Sequence, residues 1–392
     1  RRDAYVQGVQ YSLRNEDNSW ALGGSAARNT MAQGDTASHE EGHRWGVNVA
    51  KTRGQFRGAI GHYRESESYN PNDLGYLAAP NEIVTWGNLE FGIYQPFGAF
   101  NRMWWNLNWD HNYLYAPRAY SNWTWAAEWA AVSRTFWFNK LTLESLPQPG
   151  YDWFASRLDA VPFESPRWTS IDFVTSTDYR RAVALDGFVK RQWRPDVADW
   201  DEFFLRLAPR FRFSDRFSAD YIWSWQVRQN ERGFADLVEV WSSPTVSLFG
   251  RRENTSHTHV LNASYIFTPR ASLSARVRHY WSVVDYHEFY ELQLDGSLEN
   301  SALADRHFDE STSTSFYDTN YNAWSIDLVY RWIFSPGSEL SVVWKNTLNE
   351  SGTALPSSYW DNWEGMLDEG FTNSLSIRAL YYLDYSLIQN RR

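Results

Sequence analysis

The chain has 392 residues, 43% hydrophobic and 18% aromatic content, no cysteine and a net charge of −10. That balance excludes disulfides, cysteine-based zinc sites and a general nucleic-acid surface. The mean hydropathy of −0.58 and the lack of any apolar run of about 18 residues exclude helical membrane spans, but not a membrane barrel, whose alternating strands average out.

Taken in order, the predicted strands begin with 4–15 and 20–30, followed by a polar loop. Next come 44–51 and 55–65, joined at Arg53-Gly54, and a longer loop through Asn70-Pro71-Asn72-Asp73 leads to 83–94. Strands 103–115, 120–133 and 136–146 precede a loop over 147–167. Then follow 168–179, 182–193, 203–213 and 217–229, a loop with a small strand of its own near 245–249, and strands 257–267 and 272–284. A loop of some thirty residues separates these from 324–334, which turns at Pro336-Gly337 into 340–348. A last loop leads to the closing strand, 372–387.

Most of these segments run about 10 to 14 residues, whereas ordinary strands run about 5 to 6 and tilted bilayer-crossing strands about 9 to 11. The connections alternate. Those at 53–54, 96–99, 134–135, 214–216, 268–270 and 335–338 are very short, and most of those between them are longer. Short turns on one side and long loops on the other are the arrangement of an outer-membrane barrel, with the short side periplasmic.

The faces agree. Phe203, Leu205, Leu207, Phe211 and Phe213 alternate with Arg206, Arg210 and Arg212, and Trp324, Ile326, Leu328, Tyr330 and Trp332 alternate with Ser325, Asp327 and Arg331. The closing strand sets Leu375, Ile377, Ala379 and Tyr381 against Ser374, Ser376 and Arg378. A soluble barrel or propeller with an aromatic core is the competing interpretation. The predicted fold class is all-β: one transmembrane antiparallel β-barrel of about 18 strands across 1–392, with short periplasmic turns and long extracellular loops. Seventeen strands are counted above, and bacterial barrels usually have an even number. Either one segment is miscounted or strands lie upstream of Arg1. Alternation traced back from a periplasmic C-terminus starts the first strand outside the cell, so missing upstream strands are the expectation.

Several motifs carry a resemblance. They are Tyr69-Asn70-Pro71-Asn72-Asp73-Leu74-Gly75-Tyr76-Leu77, Leu248-Phe249-Gly250-Arg251-Arg252-Glu253, Leu261-Asn262-Ala263-Ser264-Tyr265-Ile266-Phe267, Arg278-His279-Tyr280-Trp281-Ser282, and the ending Ala379-Leu380-Tyr381-Tyr382-Leu383-Asp384-Tyr385. Together, over Tyr5 to Leu387, they resemble the C-terminal barrel half of a family of large Gram-negative outer-membrane proteins. The resemblance implies a family-9-like carbohydrate-binding domain ahead of the barrel, which this sequence lacks, so no sugar-binding residue is carried over. The family supplies no catalytic residue either.

His39-Glu40-Glu41-Gly42-His43 matches the H-E-x-x-H pattern of zinc proteases, which needs both histidines one helical turn apart. With Gly42 inside it and no flanking apolar stripe, the expectation is a solvated loop and no metal. Arg206, Arg210, Arg212, Arg276, Arg278, Arg331, Lys345 and Arg378 are predicted to point into the lumen beside Asp220, Asp327 and Asp384. They would form either an anion-selecting strip or a network of wall salt bridges. In the long loops, Tyr151, Trp153, Phe154, Tyr359, Trp360 and Trp363, with Asp305, Asp309, Glu310 and Asp318, are the residue types of a sugar platform. Packing of the loops on themselves uses the same residues. Trp153, Trp360 and Trp363 are the candidate binding aromatics. Asn70, Asn72 and Asp73 have the composition of a calcium cluster or of an ordinary turn.

The expected function is channel-like or surface handling of a solute, with a glycan as one class. The alternative is a non-conducting scaffold that anchors a binding domain or partner proteins; a membrane-embedded hydrolase ranks last. The partners implied are outer-membrane lipid, a solute or glycan and other envelope proteins, with no nucleic acid, cofactor, metal or catalytic residue. The expected location is the bacterial outer membrane.

Overall fold

Side chains alternate along a strand, so a chain written apolar-polar-apolar presents two unlike faces. The computed structural model, which describes residues 2–33, 39–73, 76–77, 79–239, 245–301 and 315–383, has this pattern throughout. The first eight strands are β1 (Arg2–Arg14), β2 (Trp20–Gln33), β3 (His39–Lys51), β4 (Phe56–Glu65), β5 (Glu82–Ile93), β6 (Phe100–Leu114), β7 (Tyr120–Ser133) and β8 (Phe138–Leu146). A small pair, β9 (Gly150–Asp152) and β10 (Phe163–Ser165), forms a separate two-stranded sheet. The chain continues through β11 (Trp168–Ser176), β12 (Val183–Trp193), β13 (Asp201–Arg212), β14 (Phe217–Val238), β15 (Val246–Thr268), β16 (Ala271–Leu292) and β17 (Leu298–Asn300). It ends with β18 (Thr319–Ser335), β19 (Ser338–Gly352), a helix α1 (Tyr359–Leu367) and β20 (Thr372–Leu380).

All strands but β9 and β10 belong to one 18-stranded antiparallel sheet. Setting aside β17, a short addition to β16, each strand pairs with the next in sequence, β8 passing directly to β11 and β16 to β18. The closing strand pairs with β19 as expected, Leu375 opposite Trp344 and Ile377 opposite Val342. Among the described residues, β1 pairs only with β2 and β20 only with β19, so the two outer strands each keep a free edge.

Residues directly opposite each other share a face, and the register carries one apolar face across every strand. One row runs Ile60, Gly87, Trp109, Trp125; another runs Phe56, Phe91, Trp105, Trp129, Leu141, Phe173, Val189, Leu205, Trp225. Large apolar residues of this face are exposed: Val9, Val47, Leu89, Leu107, Leu143 and Ile171 are all open. Aromatic residues flank that aliphatic band. Tyr11, Phe56, Phe91, Trp105, Trp129, Tyr265 and Trp332 lie toward one end of their strands, and Tyr113, Trp125, Trp193 and Phe203 toward the other.

Hairpin connections are sorted between the two ends. One end has 15–19, 52–55, 94–99, 134–137, 177–182, 213–216, 269–270 and 336–337, and the other has 66–81, 147–167, 293–318 and 353–371 among shorter ones.

Four expectations are corrected. The small strand near 245–249 is the start of β15, which runs unbroken to Thr268 because two bulges in β14 keep it in register. β16 continues past Val284 to Leu292, shortening the loop that follows. The H-E-x-x-H stretch is no loop: it opens β3, paired residue by residue with β2. Gly42 is needed there because a Cβ would meet the Ser68 carbonyl oxygen and Tyr69 Cα at 2.3 Å, where the 66–70 turn crosses the strand. The last strand ends at Leu380, and residues 384–392, with Asp384, lie outside the described residues.

Candidate functional site

The polar face is laced by hydrogen bonds between neighbouring strands. Asp110 accepts from Asn112 Nδ2 at 2.6 Å and from Thr124 Oγ1 at 2.5 Å, and Asn112 Nδ2 also reaches Asn122 Oδ1 at 2.6 Å. Glu128 accepts from Asn108 Nδ2 at 3.2 Å and from Lys140 Nζ at 2.9 Å. Further round, Glu202 takes Gln226 Nε2 at 2.7 Å and faces Arg228 Nε at 3.5 Å.

At the end with the long connections this face opens into a cavity of about 440 Å³ whose lining includes Asn81, Glu82, Asn112, Asn122, Tyr151 and Trp153. The chain builds its far wall locally. Gly150 lets β9 lie against β7, since a Cβ there would sit 2.9 Å from the Ser121 carbonyl oxygen. Asp152 Oδ1 then accepts from the backbone N–H of Phe154 and Ala155, a side-chain turn that fixes Trp153. Tyr151 packs 6.3 Å from Trp153 and edge-on to Tyr120 at 6.5 Å.

Among the described residues, two polar atoms on this lining are buried without a hydrogen-bond partner: Trp153 Nε1, a donor, and Asn112 Oδ1, an acceptor. Leaving such atoms unpaired costs about 1–3 kcal/mol each, so the cavity suits a ligand that presents both a hydroxyl acceptor and a hydroxyl donor.

The loop carrying Trp153 is pinned at its far side. β8 and β15 are separated in the sheet by β11–β14, yet Ser247 Oγ of β15 donates to the Ser156 carbonyl at 2.7 Å. Phe163 stacks on Phe249 at 4.7 Å, and Glu164 N donates to the Gly296 carbonyl at 2.9 Å. Arg167 is bidentate on Asp196, holding that carboxyl below its usual range. The loop therefore bridges over the sheet from β8 to the β15–β17 overhang.

All eight predicted cations lie on the polar face and are exposed. Arg210 sits 3.6 Å from Asp186 and over the Tyr179 ring, Arg331 bonds Glu339 at 2.5 Å, Lys345 lies 3.3 Å from Asp327, and Arg278 donates to Ser325 Oγ. Arg206, Arg212, Arg276 and Arg378 have no ion pair among the described residues. Half the strip is thus tied into the wall by direct contacts, and Arg378 also acts on Glu339. Of the acids expected with it, Asp220 accepts from Asn262 and lies opposite Arg210.

The predicted aromatics divide. Trp153 lines the polar-face cavity, whereas Trp360 and Trp363 lie on α1, which packs against the other, apolar face. The sequence gives no sign of this, because the loop's length alone does not say to which side it folds. Tyr359 sits 5.0 Å from His257, 5.2 Å from His259 and 5.6 Å from Trp281, and Trp363 sits 5.1 Å from His279 and 5.5 Å from Trp324. Asn322 and Asn362 exchange two 2.8 Å hydrogen bonds while 1% and 4% exposed. His279 Nε2 meets Asn322 Oδ1 at 3.2 Å and Nδ1 meets Tyr359 OH at 3.0 Å, so Nε2 carries the proton and the phenol donates to Nδ1.

The histidine rings lie side by side, 6.2 and 6.3 Å between neighbours. Among the described residues no group of three or more His, Asp or Glu is placed to hold a metal ion. Asn70 and Asn72 are turn residues: Asn70 Oδ1 accepts from Asn72 N, and Asn72 Oδ1 from Leu77 N. Asp305, Asp309 and Glu310 lie outside the described residues. Asp318 accepts from the Tyr286 and Ser315 backbone, and its burial pushes its carboxyl up.

A family model described as a domain of unknown function, DUF5916, matches residues 1–392. The chain belongs to the DUF5916 family. No curated protein matches it. In this DUF5916 chain the residues that sequence reasoning missed are Asn112, Asn122, Tyr221 and the three histidines. Of these, only His257 and His259 left a signal, being imidazoles at alternate positions of an otherwise hydrocarbon face.

Proposed function

We propose that this chain forms the wall of a β-barrel in a bacterial outer membrane, with its apolar face toward lipid and its polar face around a lumen whose outer mouth handles a hydroxylated, sugar-like solute. The observation that carries the reading is the continuous exposed apolar face, a band of Val, Leu and Ile flanked by aromatic residues at both strand ends. Membrane barrels place their lipid-facing band and aromatic girdles in this way, and a water-exposed sheet of this size would carry a very large apolar patch. Hairpins sorted by length support a reading in which the long connections face outside the cell. The free edges of β1 and β20 are the seam at which the wall closes, directly or through further strands.

The solute reading rests on the cavity lined by Trp153, Tyr151 and Asn112. Aromatic faces beside an unpaired donor and an unpaired acceptor match a sugar ring with its hydroxyl groups. The test is calorimetric titration of the detergent-purified protein with neutral oligosaccharides. Binding that weakens about tenfold in Trp153→Ala, an energy of about 1.4 kcal/mol, supports the reading; equal binding by both proteins refutes it.

The pinned 147–167 loop favours a second reading, in which the mouth is occluded and the barrel is a scaffold. Planar-bilayer recordings separate the two: steady conductance supports passage, and a silent bilayer supports the scaffold.

A further inference from the structure

The apolar face carries a second cavity, of about 550 Å³, between the wall and α1. Its floor includes Tyr221, His259, Leu261 and Val277 beside the His257 and His279 rings, and its roof is α1. A wall that only slides past annular lipid has no need of a roofed slot. The helix is fastened to the sheet by the buried Asn322–Asn362 pair and by the Tyr359–His279 hydrogen bond, so the slot is built rather than incidental.

One polar atom stands out in this lining. His259 Nδ1 is 2.6 Å from Tyr221 OH, while His259 Nε2 is buried with no hydrogen-bond partner among the described residues. A phenol is the stronger donor of the two, so Tyr221 donates to Nδ1 and the proton remains on Nε2. The slot thus offers aromatic and aliphatic walls, with the His259 Nε2–H as its buried, unpartnered donor among the described residues. Leu261 and Val277 belong to the aliphatic band, and α1 arises from the 353–371 connection at the opposite end from the short turns.

We infer that this slot holds one acyl chain of an outer-leaflet lipid, with its ester carbonyl accepting from His259 Nε2 and its chain running down over Leu261 and Val277. This rests on the membrane reading of the apolar face. The occupant is a lipid because the slot is continuous with the face that meets hydrocarbon, and an ester carbonyl is the acceptor that such a chain brings. Trp360, which also borders the slot, is 70% exposed and meets neighbouring lipid at the interface.

The test is photolabelling of the full chain in nanodiscs containing a phospholipid with a diazirine in its acyl chain, followed by peptide mapping. Labelling concentrated on the 257–261, 277 and 359–363 segments, and reduced about tenfold in Val277→Trp, which fills the slot, supports the inference. His259→Leu, which keeps the bulk and removes the donor, reduces the same labelling and guards against a folding defect in the first variant. Uniform labelling of this segment and of the distant Leu89 and Leu107 overturns the inference but leaves the membrane reading standing. No labelling anywhere on the apolar face overturns both.

Discussion

Leu107 and Asn108 are neighbours in the middle of β6 that point to opposite faces. Leu107 lies between Leu89 and Ala127 in the apolar row and is 41% exposed. Asn108 bonds Glu128 on the polar face. In water, replacing so exposed a leucine by arginine changes stability by about 0.5 kcal/mol or less. Facing lipid near the middle of the band, the same change costs about 2–4 kcal/mol. That is roughly a 30- to 1,000-fold shift in the folding equilibrium. Asn108→Arg puts its charge beside Glu128 and is expected to cost about 1 kcal/mol or less, near the value of a lost neutral hydrogen bond. The assay is reversible urea unfolding in lipid vesicles, followed by tryptophan fluorescence and by the gel shift of folded barrels. A gap of at least about 1 kcal/mol between the two variants, with Leu107→Arg the worse, is the expected result, given the lipid-facing cost. Equal, small effects would refute the assignment of faces to lipid and lumen.

Two further perturbations test local features. Asn362→Ala leaves Asn322 with an unsatisfied buried amide, which costs about 1–3 kcal/mol; amide exchange over 359–367 should speed up while β18 stays protected, and unchanged protection would show that the pair does not hold α1. Asp178, in the 177–182 turn, accepts from Arg180 Nε, Nη2 and backbone N, which hold its carboxyl down at about 2 against an ordinary 3.8. A depressed acid contributes stability that is present above its unfolded value and lost as pH falls through the folded one. The unfolding-midpoint gap between the native protein and Asp178→Asn should therefore shrink between about pH 4 and pH 2, and a gap that ignores pH would contradict the ion pair.

The strand ladder is legible because the period of two is written in side chains: the seventeen predicted segments are the seventeen strands of the meander. Length is read short where the pattern is interrupted. β15 and β16 run on through Gly250 to Glu253 and Asp285 to Glu288, stretches that look like loop because charged and aromatic residues mix on both faces. His39 to His43 looks like loop because Gly42 and two acids hide a strand whose glycine serves a crossing turn. Alternation alone gathers the eight cations on one face of the sheet. Their pairing is not legible, since it depends on registers such as Lys345 opposite Asp327. The side taken by α1 is invisible for a related reason: it is fixed by Asn322 and His279, far away in the chain.

The central claim is that the long connections face the outside of a cell and the short turns the periplasm. The chain has no cysteine, so single cysteines report without background. Asp159→Cys in the 147–167 loop and Asp215→Cys in the 213–216 turn place exposed thiols at opposite ends of the strands. Intact cells treated with a membrane-impermeant maleimide should label the first and spare the second, which should become reactive once the outer membrane is permeabilised. In intact cells, labelling of both variants, of neither, or of the Asp215→Cys variant alone would contradict the outer-membrane barrel.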